Sequence, residues 1–299
     1  MNASVRLLEA TLPATVHLQV TVPESHPSVA VLGAERSGSG AFIERDGVIV
    51  TVNYVVLGGR EVRVTTFDGR ELTGEVAAQD FASGIALVRV AGSDAPALPT
   101  AADDPPAVGD EVFIVASVGD ASRRASSGSI TSLAAFDANW EYILDRALYS
   151  TAMNPGLGGG PLLDRCGRVL GVVSLNLNEI GRFSLAIPID HYREHRDELL
   201  RHGRRTSRPS RAWLGLFCYT LRNHVVIAGL LPGAPAAASG LAQGDIVLAV
   251  DHRPVQTRGE FYEALWSHRA GDEVQLQVYR DEQVRTCRVS AGDAEDFFR

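Results

Sequence analysis

Short runs in which apolar and polar positions alternate, cut by turn residues, fill the first part of the chain. Thr15–Val20 alternates residue by residue, and Gly38–Ile43, Val48–Thr51, Val62–Thr65, Leu72–Val76 and Ile85–Val90 follow at close intervals. A period of two marks half-buried strands, whose successive side chains point to opposite faces. Arg45-Asp46-Gly47 and Phe67-Asp68-Gly69-Arg70 stand between these runs as turns, and an Asp-Gly pair is a strong hairpin signal. A connector rich in Pro, Ala and Asp, Ala91 to Ala107, leads to a second series: Glu111–Val115, Ser127–Thr131, Val169–Ser174 and Phe183–Pro188. Many short strands at even spacing predict barrels or sandwiches, here two β units in succession.

After Pro188 the period changes. Asp190 is placed to cap a helix running through Tyr192 to Leu200. Residues 197–210 read as an Arg-rich linker, broken by Gly203 and Pro209. From Arg211 a compact unit begins, with a strand at Val225–Ile227, a turn at Pro232-Gly233-Ala234-Pro235, a strand at Gly244–Val250, a helix around Arg258 to His268 and a strand at Val274–Val278. The acidic tail 293–299 carries Phe297 and Phe298 and is expected to fray.

Composition changes little in this picture. The 299 residues are 45% hydrophobic and 21% charged, ordinary for a globular chain of two or three units. A formal net charge of −8 argues against nucleic acid or an anionic membrane as partner. Cys166, Cys218 and Cys287 are odd in number and far apart, so neither a disulfide framework nor a paired metal motif is expected. No export signal or membrane span is read from Met1 to Pro27, and the expected location is cytoplasmic.

The chemistry centres on Asn154-Pro155-Gly156-Leu157-Gly158-Gly159-Gly160-Pro161-Leu162. This stretch resembles the nucleophile loop of a trypsin-like serine protease, where a turn presents a serine and two main-chain N–H groups face the developing oxyanion. Gly158 stands at the serine position. Upstream, Gly38-Ser39-Gly40, Asp46-Gly47 and Thr51-Val52-Asn53-Tyr54-Val55-Val56 follow the pattern that precedes the catalytic histidine, with Tyr54 in its place. In Asp80-Phe81-Ala82-Ser83-Gly84-Ile85-Ala86-Leu87, Gly84 takes the position of the catalytic aspartate.

In this order the motifs resemble the HtrA (DegP-like) family over nearly the whole chain. The resemblance implies a mainly β fold: a trypsin-like double β-barrel over residues 1–196, the linker 197–210, and a PDZ domain over 211–292, a small β-barrel with helices. It also implies a role in bacterial protein quality control. With Tyr54, Gly84 and Gly158 at the three catalytic positions, the side chains that attack, transfer the proton and orient the base are all missing. The expectation is therefore an inactive homologue acting as a peptide-binding scaffold, with a serine-type endopeptidase or weak unconventional hydrolase as the alternative. Gly156 and Gly158 could still offer oxyanion-hole N–H groups, whereas Tyr54 and Leu157 are expected to fill the cleft.

Trp213-Leu214-Gly215-Leu216 matches the carboxylate-binding loop of the family's PDZ domains. The resemblance implies that a protein C-terminus or unfolded peptide adds as a strand beside it. Leu214, Leu216 and Leu265 would take its apolar terminal side chain, with Phe261 on the same helix. The competing reading is a groove given over to internal packing. No cofactor or metal is expected. His191-Tyr192-Arg193-Glu194-His195 fits a zinc-protease spacing, but a five-residue pattern matches easily by chance. Family members form trimers through aromatic N-terminal segments; Met1 to Val20 has no aromatic residue, which argues against a trimer and leaves other homo-oligomers open.

Overall fold

The computed structural model describes residues 3–92, 96–101, 105–178, 181–208 and 210–299. The connector expected at Ala91 to Ala107 and the linker at 197–210 therefore lie partly outside the described residues. The chain divides into two compact units, the first comprising Met1–Glu24, Leu32–Ala135 and Asp145–Thr206, the second Ser25–Val31, Phe136–Leu144 and Ser207–Arg299.

The chain begins with helix α1 (Ala3–Thr11), followed by β1 (Thr15–Thr21), the short helix α2 (Val29–Leu32), β2 (Glu35–Phe42), β3 (Val48–Val52), the single turn α3 (Asn53–Val56), β4 (Glu61–Thr65), β5 (Glu71–Asp80) and β6 (Ile85–Val90). The six strands close into a barrel in the order β1-β2-β3-β6-β5-β4. In β4, Glu61 and Arg63 are exposed while Val62 and Val64 are fully buried, as a period of two requires. Phe42, Ile49 and Leu87 are also fully buried, each contributing about 2–3 kcal/mol by leaving water. The second barrel comprises β7 (Glu111–Gly119), β8 (Ser122–Ala138), β9 (Tyr142–Ser150), β10 (Pro161–Leu163), β11 (Val169–Leu177) and β12 (Phe183–Pro188), ordered β10-β11-β12-β9-β8-β7. β9 leaves no clear signal in the sequence, because Asp145 and Arg146 interrupt its apolar pattern, and β10 spans only three residues.

Helix α4 (Asp190–His202) closes the first unit. Asp190 does not cap it as expected, since Ile189 is the N-cap residue and makes no side-chain cap. One residue further in, the carboxylate of Asp190 pairs with Arg146 and Arg193 and complements the positive end of the helix. Gly203 ends the helix in the left-handed region, at φ 70°, with its N–H donating to the Leu199 carbonyl.

In the second unit, β13 (Leu216–Leu221), β14 (His224–Leu230), β15 (Ile246–Val250), β16 (Arg253–Pro254), β17 (Glu273–Arg280) and β18 (Gln283–Ser290) form a six-stranded sheet ordered β13-β14-β15-β17-β18, with β16 on β15. Helix α5 (Arg258–Leu265) is N-capped by Thr257, whose side chain accepts from the Glu260 N–H. It buries Phe261, Tyr262 and Leu265 in one apolar cluster with Leu214, Leu216 and Leu276. The tail does not fray as expected. It forms α6 (Ala294–Phe297), and the rings of Phe297 and Phe298 lie 4.8 and 5.7 Å from that of Trp213, because the indole offers them an apolar surface.

Candidate functional site

The nucleophile-like loop lies in the first unit, where it is tied to both barrels. Leu157 N–H donates to the Ser117 carbonyl (2.9 Å) and Gly159 N–H to the Val173 carbonyl (2.7 Å). Gly158 accepts from Ser39 N–H at 2.7 Å, and the Ser39 hydroxyl donates to the Leu157 carbonyl at 2.8 Å. At Gly159, φ is 96°, and an added Cβ would strike the Ser39 carbonyl, so the turn requires glycine. Gly156 N–H turns toward Asn154 Oδ1 at 3.2 Å.

The three positions read as catalytic converge. Asn53 N–H, one residue before Tyr54, donates to the Gly84 carbonyl at 2.7 Å. The Tyr54 hydroxyl donates to the Ser174 carbonyl at 2.7 Å. It lies where a Cβ on Gly158 would fall. The phenol therefore occupies the space in which a serine side chain would start. Burial pushes its pKa up to about 12, so at neutral pH it can donate a proton in a hydrogen bond but cannot serve as a base. Asp80 is committed to the β5–β6 turn, with its carboxylate accepting from the Ser83 hydroxyl (2.6 Å) and Ala82 N–H (3.0 Å). A serine–histidine contact with no signal in the sequence pairs Ser117 Oγ with His17 Nδ1 at 2.9 Å. Both residues are buried, and burial lowers the imidazole pKa, so no peptide reaches them.

In the second unit, Gly215 takes φ 74° and turns the chain between Leu214 and Leu216. Leu214, Leu216, Phe261 and Leu265 are 2% exposed or less, and Trp213 is 8% exposed. The N–H groups of Leu214 and Leu216 both donate at 2.9 Å to the carboxylate of Glu141, one to each oxygen. Glu141 carries no local signal in the sequence, since it lies in an aperiodic Asn139-Trp140-Glu141 turn. His195 lies 3.7 Å from Glu198, and among the described residues no group of three or more His, Cys, Asp or Glu side chains is arranged to hold a metal.

Residues 38–172 match the trypsin-like peptidase domain, and residues 212–291 the PDZ domain. The chain is 31% identical over 280 residues to a "Probable periplasmic serine endoprotease DegP-like" of Halomonas elongata, covering 87% of this chain and 57% of that protein. A protein of the same name from Pseudomonas fulva is 28% identical, over 87% of this chain and 56% of the relative. The chain thus spans little more than half the length of these relatives. Among solved structures, the serine endoprotease from Yersinia pestis superposes with a TM-score of 0.58 at 20% identity, covering 98% of both chains. The HtrA-type protease AlgW with tripeptide gives 0.59 at 21% identity, over 98% of this chain and 97% of that one.

These names overturn two expectations. The sequence reads as no enzyme, yet the relatives are named serine endoproteases. It reads as cytoplasmic, yet they are named periplasmic. Both expectations were built on what the chain lacks, and the relatives supply positive likeness instead. By fold, domain order and sequence, this chain is similar to the HtrA/DegP-like proteases: a trypsin-like peptidase domain followed by a PDZ domain.

Proposed function

We propose that the chain is an exported, peptide-handling hydrolase of the HtrA type. Its PDZ domain takes protein C-termini or unfolded segments, and its trypsin-like domain presents them to slow, unconventional hydrolysis. The observation that carries this reading is the intact backbone frame of the loop from Asn154 to Pro161, held by Ser39, Ser117 and Val173. Since Gly158 has no nucleophile, water attacks the peptide carbonyl directly, the C–N bond breaks, and a proton of the attacking water passes through solvent to the leaving amine. The developing oxyanion sits against the N–H of Gly158 and that of Gly156 once it leaves Asn154 Oδ1. Oxyanion binding and positioning without a triad are worth about 10³–10⁴-fold over water, which sets the scale of the expected rate. The domain limits 1–196 and 211–292 belong to the same proposal.

The test is digestion of an unfolded protein such as casein by the purified chain, with a mock purification as baseline. Slow cleavage that a serine-directed fluorophosphonate does not block is the expected result. Turnover no faster than the mock overturns the hydrolase and leaves peptide binding alone. Labelling by the reagent would locate a nucleophile elsewhere in the chain.

A further inference from the structure

A PDZ carboxylate loop recognises a free C-terminus by aiming successive N–H groups at it, while the strand alongside pairs with the peptide backbone. Both elements are already engaged by residues of this chain. The Glu141 carboxylate takes Leu214 N–H on Oε2 and Leu216 N–H on Oε1, each at 2.9 Å, and the Gly215 backbone also hydrogen-bonds to it. Two residues earlier, the Asn139 carbonyl accepts from Cys218 N–H on β13 at 2.9 Å, as the backbone of an added strand does. Helix α5 supplies the other side. The Tyr262 hydroxyl accepts from Glu141 N–H (2.9 Å) and donates to the Ala138 carbonyl (2.8 Å). Arg258 Nε donates to Asp137 Oδ2 at 2.7 Å, and Ile143 packs against the apolar cluster.

We infer that residues 136–144 are a built-in ligand of the PDZ domain, with Glu141 standing where a C-terminal carboxylate binds, so that an outside C-terminus enters only by displacing it. Two features mark the contact as a ligand's rather than as ordinary packing. The Glu141 carboxylate is buried, pairs with no cation among the described residues, and accepts its hydrogen bonds from backbone N–H groups. The two-residue offset between carboxylate and paired carbonyl reproduces that of a peptide end lying along an edge strand. The inference rests on the proposed reading of the loop as a site for C-termini.

The decisive measurement is amide hydrogen exchange of the full chain, without peptide, for the wild type and Glu141→Ala. Exchange at Leu214, Gly215 and Leu216 should rise about tenfold or more, while β17 stays protected as the control for folding. Arg258→Ala, which frees Asp137, should move the same amides in the same direction by less. Unchanged exchange in both variants overturns the inference. In parallel, a fluorescein-labelled decapeptide ending in a leucine carboxylate is titrated against both proteins, with its C-terminal amide as control. Tighter binding of the acid alone by Glu141→Ala, again about tenfold, is the expected result. Equal affinity for both proteins overturns displacement. If exchange rises but neither protein binds peptide, the built-in ligand stands and the proposed capture of outside C-termini falls.

Discussion

The loop at 154–161 and the loop at 213–216 both shape backbone around an oxygen, and in both the chain has put one of its own side chains into the space. They differ in how the occupant is held. Tyr54 sits on a one-turn helix beside the fully or nearly buried Val55 and Val56, so its phenol cannot leave the Gly158 position without unpacking the first barrel. Glu141 is held by hydrogen bonds at a turn between two strands, next to the exposed Trp140. Removing the first occupant means rebuilding a core, while removing the second means exchanging one carboxylate for another. A site filled through the core is altered by mutation, whereas a site filled from a turn can be altered by a ligand.

The largest effect is expected from rebuilding the first loop. The triple variant Tyr54→His, Gly84→Asp, Gly158→Ser should raise casein turnover by roughly 10²-fold or more, since a positioned acid–base pair alone supplies about 10²–10⁴. Gly158→Ser alone should lower stability by about 1–3 kcal/mol, because its Cβ meets the Tyr54 hydroxyl, and should raise turnover not at all. Thermal melts and the digestion assay read both effects. A gain from the single variant would show that Tyr54 moves aside, and the contrast between the two loops would fail.

pH separates the loops next. Burial pushes the Glu141 carboxyl up to about 7, with the N–H groups of Leu216, Leu214 and Gly215 opposing that rise. The groups that interact with it are the Tyr262 phenol and Cys218 thiol, both raised beyond this range, while the Arg258–Asp137 ion pair joins the same segment to α5. A carboxyl pKa raised by docking means that the docked form binds more protons. Docking is therefore fully favoured below the ordinary carboxylate range and weakens as pH rises through about 7. Acid-peptide affinity should rise on the order of tenfold to a hundredfold between pH 5.5 and 8 and stay flat in Glu141→Ala. A wild type as flat as the variant would remove Glu141 from the competition.

Tyr262→Phe deletes the hydroxyl that holds Glu141 N–H and the Ala138 carbonyl. Losing a buried partner costs about 1–3 kcal/mol, so the peptide should bind several-fold to tenfold tighter as the turn loosens. Unchanged affinity would mean that the turn is held by the carboxylate alone. The smallest effect is expected from Phe297→Ala, which removes one ring from Trp213 and should cost about 0.5–1.5 kcal/mol by thermal melting, with peptide affinity unchanged. A change in affinity would tie the tail to the carboxylate loop.

Much of the fold was legible because its cause is local. The period-two runs at Val62–Thr65 and Ile85–Val90 name their own buried faces, and Gly215 and Gly159 mark turns that need φ above zero. Positions 54, 84 and 158 are expected from motif alone; in the structure Asn53 N–H meets the Gly84 carbonyl and the Tyr54 hydroxyl lies against Gly158. β18 is hard to read from the sequence because it is an edge strand whose first four residues are all exposed, three of them polar or charged. Asp190 reads as a cap and is instead the first helical residue, because the sequence marks the helix start only to within a residue or so.

What the sequence determined by itself is therefore the position of many of the strands, the order of the two domains and the residue types at positions 54, 84 and 158. What fills the resulting spaces was decided by tertiary structure. Tyr54 reaches Ser174 across 120 residues, and Glu141 reaches Leu214 and Leu216 across 73 and 75. Such contacts leave no periodic trace, because a side chain's partner across a folded sheet depends on where the chain returns and not on which residues precede it.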